Sequence, residues 1–381
     1  MAGTTLDRKL TPARHGRVPF ALATPADDVD IRRLLRENPM PGRITLTLER
    51  EPDYFADANL PGTEKQTIIA REGGRVVCVG NCSMRERFVN GQPRRVGYLG
   101  GLRLDSRAAG RFDILRRGYE FFRELQAERP ADFYFTSIAA DNLPARKFLE
   151  RGLPGMPAYE CIGEFVTLLI GTPNSRSASC NDGDVCADPE ISVPLLAEFI
   201  HRHAPQNQLA PCWPVEELLA LESLGLRAQD FLAVRGENNL TACAALWDQR
   251  AFKQTVISGY SPRLAMARPV INFAARFLGT PRLPEAGSTL AQAFVSHLAV
   301  MPEHSDVLTD LVAKLGVNAA GRGIGFLTLG FAANDSRLMQ LCRRFRCREY
   351  RSRIYVVRWP ELGGSARELD GRCLGPEVAL L

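Results

Sequence analysis

The chain has 381 residues and a formal net charge of +5, and 45% of its residues are hydrophobic, 24% charged and 8% aromatic. That balance builds a sizeable core and excludes a mainly disordered, collagenous or small disulfide-stapled chain. At about 150 residues per domain, the length predicts two units with a surplus.

Met1 to Lys9 carry charge with no apolar stretch behind it, and no later run reaches the roughly 18–20 apolar residues that span a bilayer. A cytoplasmic protein with no membrane span is expected. The ten cysteines are scattered, several inside apolar runs such as Val76-Val77-Cys78-Val79 and Ala242-Cys243-Ala244, and are expected as reduced, buried thiols. No CxxC pair occurs, and Cys180 and Cys186 lie in a polar stretch without a nearby histidine, so no metal is expected. Of 48 basic residues only five are lysine, and no dense basic run exists, so no nucleic-acid partner is expected.

In chain order, Pro19 to Leu22 reads as a short strand and Asp28 to Arg36 as a helix opening on acidic residues. Gln66 to Arg71 and Arg75 to Phe88 are apolar-rich runs joined by Glu72-Gly73-Gly74, a hairpin signature, and Asn90-Gly91 turns the chain into a strand from Arg95 to Leu104. Leu115, Tyr119, Phe122 and Leu125 recur at helical spacing on a helix from about Arg107 to Ala127. Phe133 to Ala139 follows as a strand, Leu143 to Arg151 as a short helix and Cys161 to Ile170 as a strand. The predicted order is β-α-α-β-β-β-α-β-α-β, a mixed α/β sheet.

Gly171 to Asp184 is polar and turn-forming, which places a boundary near the midpoint. The second half repeats the tail of the first. Phe133-Tyr134-Phe135-Thr136-Ser137-Ile138-Ala139-Ala140-Asp141-Asn142 aligns with Phe326-Leu327-Thr328-Leu329-Gly330-Phe331-Ala332-Ala333-Asn334-Asp335, and each copy continues into a short helix and a strand, Tyr350 to Val357 in the second. Phe231 to Arg235, Leu240 to Asp248 and Phe294 to Val300 read as strands, and Asp306 to Leu315 as a helix. The expected organisation is a first lobe over residues 1–171, a linker over 172–189, a second and degenerate lobe over 190–360, and a low-order tail over 361–381.

The segment Leu102-Arg103-Leu104-Asp105-Ser106-Arg107-Ala108-Ala109-Gly110-Arg111-Phe112 joins a strand to a helix through small residues. Converging backbone amides and a helix N-terminus make such a turn a candidate pyrophosphate cradle, with Arg107 and Arg111 adding charge. After the next strand, Asp141 to Gly152 opens a helix with Asn142 near its cap.

With the Arg-x-x-Gly turn at Arg107 to Gly110, the Asn-x-x-Ala helix at Asn142 and Ala145, and the element order, the chain resembles the GNAT superfamily of acyl-CoA-dependent N-acyltransferases, in particular its two-lobed members. The resemblance implies two GNAT-like lobes in tandem and acetyl-CoA or another acyl-CoA as co-substrate. It implies a pyrophosphate cradle at Arg107, Ala108, Ala109, Gly110, Arg111 and Phe112, a pantetheine strand at Leu102, Arg103 and Leu104, and Asn142 beside the arm. Gly100-Gly101 suit close approach of a ligand to strand backbone.

Two positions depart from the family pattern: Phe112 stands where a small residue is favoured, and Leu149 where a tyrosine often protonates the departing thiolate. Tyr159 or water is the replacement considered. In the second lobe, Met301-Pro302-Glu303-His304-Ser305-Asp306 has no glycine and two carboxylates, so the donor is expected in the first lobe.

Acyl transfer needs a proton acceptor for the amine and a donor to the tetrahedral oxyanion. Glu86 and Tyr98 are the first-lobe candidates, set against an exposed ion pair in Arg85-Glu86-Arg87 and a cleft-wall aromatic, and His297 is the second-lobe candidate. His201 and His203, two apart on a helix, face different ways, and Trp213 and Trp247 read as core.

The expected activity is N-acyl transfer from coenzyme A to a small-molecule or peptide amine. The alternatives are a transferase using a carrier- or tRNA-bound acyl donor, and a non-catalytic CoA-ligand sensor or interaction protein on the same fold. The insert Ser261 to Pro284, without a first-lobe counterpart, is assigned to the acceptor side.

Overall fold

A computed structural model describes residues 18–40, 42–108, 110–173, 192–236, 239–278 and 282–381, with the side chains of residues 276 and 278 excepted. The first half runs β1 (Phe20–Leu22), α1 (Asp28–Glu37), β2 (Ile44–Glu49), β3 (Glu64–Glu72), β4 (Arg75–Val89), β5 (Gln92–Leu104), α2 (Phe112–Gln126), β6 (Phe133–Ala139), α3 (Leu143–Leu149) and β7 (Ala158–Gly171). The second runs α4 (Val193–His203), α5 (Val215–Ala220), β8 (Phe231–Arg235), β9 (Leu240–Trp247), β10 (Gln254–Tyr260), α6 (Pro262–Leu278), β11 (Gln292–Val300), α7 (Val307–Gly321), β12 (Phe326–Ala332), α8 (Ser336–Arg344) and β13 (Cys347–Arg358).

Local chemistry explains most boundaries. Asn90 and Gly91 sit at φ 52° and 78°, the left-handed pair a two-residue hairpin demands, and fix the register of β4 against β5. The buried line of α2 is Ile114, Gly118, Phe122 and Gln126, with Leu115 and Tyr119 beside it. One expected element differs. Between α1 and β3 the chain forms β2 and turns instead of a second helix, because Ile44-Thr45-Leu46-Thr47-Leu48 alternates at period two with β-branched residues.

Among the described residues, eleven strands form one mixed sheet in the order β1-β3-β4-β5-β6-β13-β7-β12-β11-β9-β8. The last strand of each half therefore crosses into the other. β13 lies between β6 and β7, pairing Ser352 with Ala139 and Val356 with Phe135, while β7 pairs Phe165 with Ala332 of β12. A separate antiparallel ribbon, β2 with β10, ties the halves a second time.

The main cores follow from this. Val166, Leu168 and Ile170 of β7 pack into the second-half core with Leu246, Leu311, Leu315 and Leu329. Ile354 and Val356 of β13 pack with Val96, Phe133 and Phe135 of the first half.

The stretch beyond residue 360, expected as a low-order tail, is a strap across the sheet. The Ser365 hydroxyl and the Ala366 amide donate to Glu160 (2.9 and 2.7 Å), the Asn90 side-chain amide donates to the Glu368 carbonyl (2.7 Å), and Gly375 donates to the Gln208 carbonyl (2.8 Å). The Lys253 ammonium donates to the Ala379 and Leu381 carbonyls (3.2 and 2.7 Å). Its glycines, prolines and charges look unstructured in sequence, but its polar groups meet partners on both halves.

A shared sheet with exchanged strands predicts one cooperative unfolding unit. In scanning calorimetry, Leu168→Ala, a loss of about 2–5 kcal/mol, lowers a single transition; two resolved transitions would contradict the coupling.

Candidate functional site

In the first half, β5 and β6 run parallel for three pairs only, Val96–Phe133, Gly97–Tyr134 and Tyr98–Phe135, and then part. The Thr136 hydroxyl donates to the Leu99 carbonyl (2.7 Å) at the fork. Beyond it β5 bulges: its register against β4 shifts between Val79 and Asn81, and Gly101 sits at φ 63°. A Cβ at Gly101 would lie 2.3 Å from the Asn81 side-chain nitrogen, so glycine lets the bulge sit against Asn81. The result is a V-shaped slot with strand backbone on each wall and Leu102, Arg103 and Leu104 on the β5 side.

The slot leads to the turn before α2, where five amides are engaged. Ser106 N–H donates to Asn38 Oδ1 (3.0 Å) and Arg107 N–H to Asp105 Oδ1 (3.0 Å). Ala108, Arg111 and Phe112 donate to the carbonyls of Asp105, Ala108 and Gly110 at 2.8, 3.0 and 2.9 Å. Arg111 is held by Asp113 and Glu72, whereas the Arg107 side chain is 71% exposed. Gly110 sits at φ 82°, and Ala109 lies outside the described residues.

Phe112 stacks on Phe148 of α3, with ring centroids 4.5 Å apart and planes 18° apart, closing the space between α2 and α3. Asn142 uses its side-chain oxygen to cap α3, accepting from Ala145 N–H (3.3 Å). Leu149 is buried against Ile138 and Tyr355.

The proposed proton-transfer groups do not converge. Glu86 points to solvent, while its neighbours Arg85 and Arg87 turn inward. Tyr98 packs on Phe135 (centroids 5.0 Å) at the fork, and burial pushes its phenol up to about 12. Tyr159 hydrogen-bonds Tyr119 beneath α2 in a cluster with Trp359, and burial raises its phenol well above 10. His297 lies in the other half.

The second half repeats the slot. β11 and β12 are parallel over Gln292–Phe326, Ala293–Leu327 and Phe294–Thr328, then part. β11 bulges between Ser296 and Ala299, with His297 at φ 54°. The strap lies on the bulge of this slot, and a cavity of about 100 Å³ lined by His297, Ala299, Gly330 and Glu377 remains beside it. The His297 amide at the bulge donates to both oxygens of Glu377 (3.2 Å each), and Val378 lies so close to β12 that a Cβ at Gly330 would meet it at 2.4 Å.

The His297 ring is buried between Trp213 (centroids 4.4 Å) and Phe231 (5.4 Å), with Nδ1 2.9 Å from the Ser296 hydroxyl; burial pulls its pKa down to about 3 and keeps it neutral. Burial also lifts the Glu377 carboxyl to about 7, opposed by the His297 amide and by Arg85 and Arg87.

A second group was missed in the sequence: Arg85 and Arg87 are buried where the halves meet. Arg85 stacks on Trp213 (3.9 Å to the ring centroid) and donates to the Cys212 carbonyl (2.9 Å) and Glu217 (3.0 Å); Arg87 donates to the Leu209 carbonyl (2.8 Å). Burial lowers their pKa values to about 10 and about 9. The alternation of β4 was the available signal, since Arg85 and Arg87 share one face and Glu86 takes the other. A hollow of about 550 Å³ beside the β2–β10 ribbon holds Glu49, Glu51 and Asp248, but Arg32 and Arg36 bind Glu51 and Arg250 binds Asp248.

Two mixed-sheet lobes in tandem, each with a forked parallel pair and a bulge, define the GNAT fold in its two-lobed form. Solved structures share it over nearly the whole chain. A GCN5-related N-acetyltransferase from Sphaerobacter thermophilus matches at TM-score 0.57 and 12% identity, covering 91% of this chain and 97% of that one. A tandem GNAT protein from the clavulanic acid biosynthesis pathway matches at 0.53 and 12%, covering 90% and 98%. Saccharomyces cerevisiae N-myristoyltransferase, solved with myristoyl-CoA and inhibitors, matches at 0.58 and 10%, covering 97% and 87%. No family model and no curated protein matches in sequence.

The Glu377 carboxyl sets a pH signature. Its folded pKa of about 7 lies above the unfolded 4.5, so the native state binds the extra proton and stability falls as pH rises from 4.5 to 7. His297, lowered from 6.5 to about 3, acts oppositely, with stability rising from pH 3 to 6.5. Glu377→Gln keeps an acceptor for the bulge amide, so urea midpoints of variant minus wild type should increase from pH 4.5 to 7; a flat difference would refute the assignment.

Proposed function

We propose that the chain is an acyl-CoA-dependent N-acyltransferase that takes its acyl donor in the first lobe. The observation that carries this reading is the contrast between the two slots: the same fork and bulge occur twice, and in the second lobe the chain's own strap lies on the bulge amide. That contrast supports the first slot, between Tyr98 and Leu104, as the donor site.

An extended pantetheine arm fits between parting strands because their backbone groups there are released from each other. Leu102, Arg103 and Leu104 would hold the arm, and Arg107, Ala108, Ala109, Gly110, Arg111, Phe112 and Asn142 its phosphate end. A diphosphate bound at the five engaged amides would displace internal hydrogen bonds, and Arg107 is an exposed cation beside them.

In the reaction the neutral amine attacks the thioester carbonyl, the C–N bond forms, the C–S bond breaks, and the amine's proton passes to an acceptor while the thiolate takes one up. A bulge amide on β5 suits the tetrahedral oxyanion. Tyr98 borders the slot, and its high pKa makes it a proton donor in the neutral range and not a base. Acetyl-CoA or a longer acyl-CoA is the donor class, and a small-molecule or peptide amine the acceptor class.

A second reading, a ligand sensor on the same fold, draws on the Phe112–Phe148 stack and the internally bonded turn. Calorimetric titration with acetyl-CoA separates the readings when joined to a free-thiol assay over an amine panel. Donor binding that weakens at least about tenfold, or 1.4 kcal/mol, in Gly110→Asp, together with amine-dependent thiol release, is the expected result. Binding without thiol release selects the sensor, and equal or absent binding in both proteins removes the first-lobe site.

A further inference from the structure

Helix α6 presents a face that none of the described residues covers. Met266, Val270, Phe273 and Phe277 are spaced by four, three and four residues, so they form one stripe, and they are 83%, 71%, 61% and 77% exposed. The opposite side anchors the helix: Asn272 exchanges hydrogen bonds with Leu283 (2.9 and 2.7 Å), and Arg268 donates to the Leu283 carbonyl (3.2 Å). The stripe is thus held outward by a fixed base.

Its charge points to one kind of partner. The helix contains Arg263, Arg268 and Arg276 and no carboxylate. Around it, Arg43 contacts the helix start, where the Ser261 amide donates to its carbonyl (2.9 Å), Arg282 follows the helix, and Arg348 lies near Tyr260; the side chains of Arg43, Arg263, Arg282 and Arg348 are exposed. Glu285, which faces Arg268 at 3.6 Å, is the carboxylate paired there.

We propose that α6 docks the protein on an anionic lipid surface. Phenylalanine and methionine side chains enter the headgroup boundary while the surrounding arginines meet lipid phosphate, the pattern of an interfacial helix that lies in the surface plane without spanning it. The attraction of arginines to such a surface is screened by salt.

The experiment is co-sedimentation of the full chain with sucrose-loaded vesicles of phosphatidylcholine alone or with about 30 mol% phosphatidylglycerol. The expected result is at least about tenfold higher affinity for the anionic vesicles, lost at about 0.5 M NaCl. Affinity should also be lost in the double variant Phe273→Glu, Phe277→Glu and reduced in Arg263→Glu, with far-UV circular dichroism unchanged.

Wild type that stays in the supernatant, equal binding to neutral vesicles, or binding that survives the double variant would each overturn the proposal. A concentration-dependent dimer in sedimentation velocity that the double variant abolishes, without vesicle binding, would assign the face to a second copy and overturn it too. The assay reads no acyl transfer, so its outcome is independent of the function proposed above.

Discussion

The pairing of β13 between β6 and β7 is the constraint on which the rest of the molecule depends. Interior strands have two rows of backbone hydrogen-bonding groups, and leaving one row buried and unpaired is costly. Without β13 the first half would expose β6 on one edge and β7 on another; without β7 the second half would lose the partner of β12. Each half thus completes the other, and the β2–β10 ribbon and the strap reinforce a junction already fixed by the main sheet.

That junction turns two similar slots into unequal ones. The strap reaches the second slot because β13 has carried the chain into the first half and must bring it back across the sheet. Its Glu377 meets a bulge amide that would otherwise be available to a ligand carbonyl, and His297 beside it is walled by Trp213 and Phe231. The Arg85–Trp213 stack stands behind the same histidine, so the charge that steadies Glu377 comes from the first half.

Much of the architecture was legible because it is locally encoded. Asn90-Gly91 dictates its hairpin, the Phe133 to Ala139 run matches β6 at both ends, and the repeat from Phe326 announces the second fork. Strand exchange was not legible: β7 and β13 have the same pattern whichever sheet edge receives them. The strap was misread because glycine, proline and charge say that a segment cannot build its own core, and nothing about whether it can lie on another. At the site, the sequence located the turn and the slot, and it marked Phe112 as unusual. The cap at Asn142 was legible too, but the sequence could not show that five amides of the turn are already bonded, or that Arg85 and Arg87 face inward.

The exchanged strand also bears on how the chain acquires its shape during synthesis. Residues 347–358 emerge after all other strands, yet they complete the first half, so β6 and β7 must wait through the production of 175 residues, from Thr172 to Arg346, before their shared partner exists. Through that interval the first lobe has two edges open to pairing with other chains. Strand exchange therefore trades early independence of the first lobe for a late, joint closure of both.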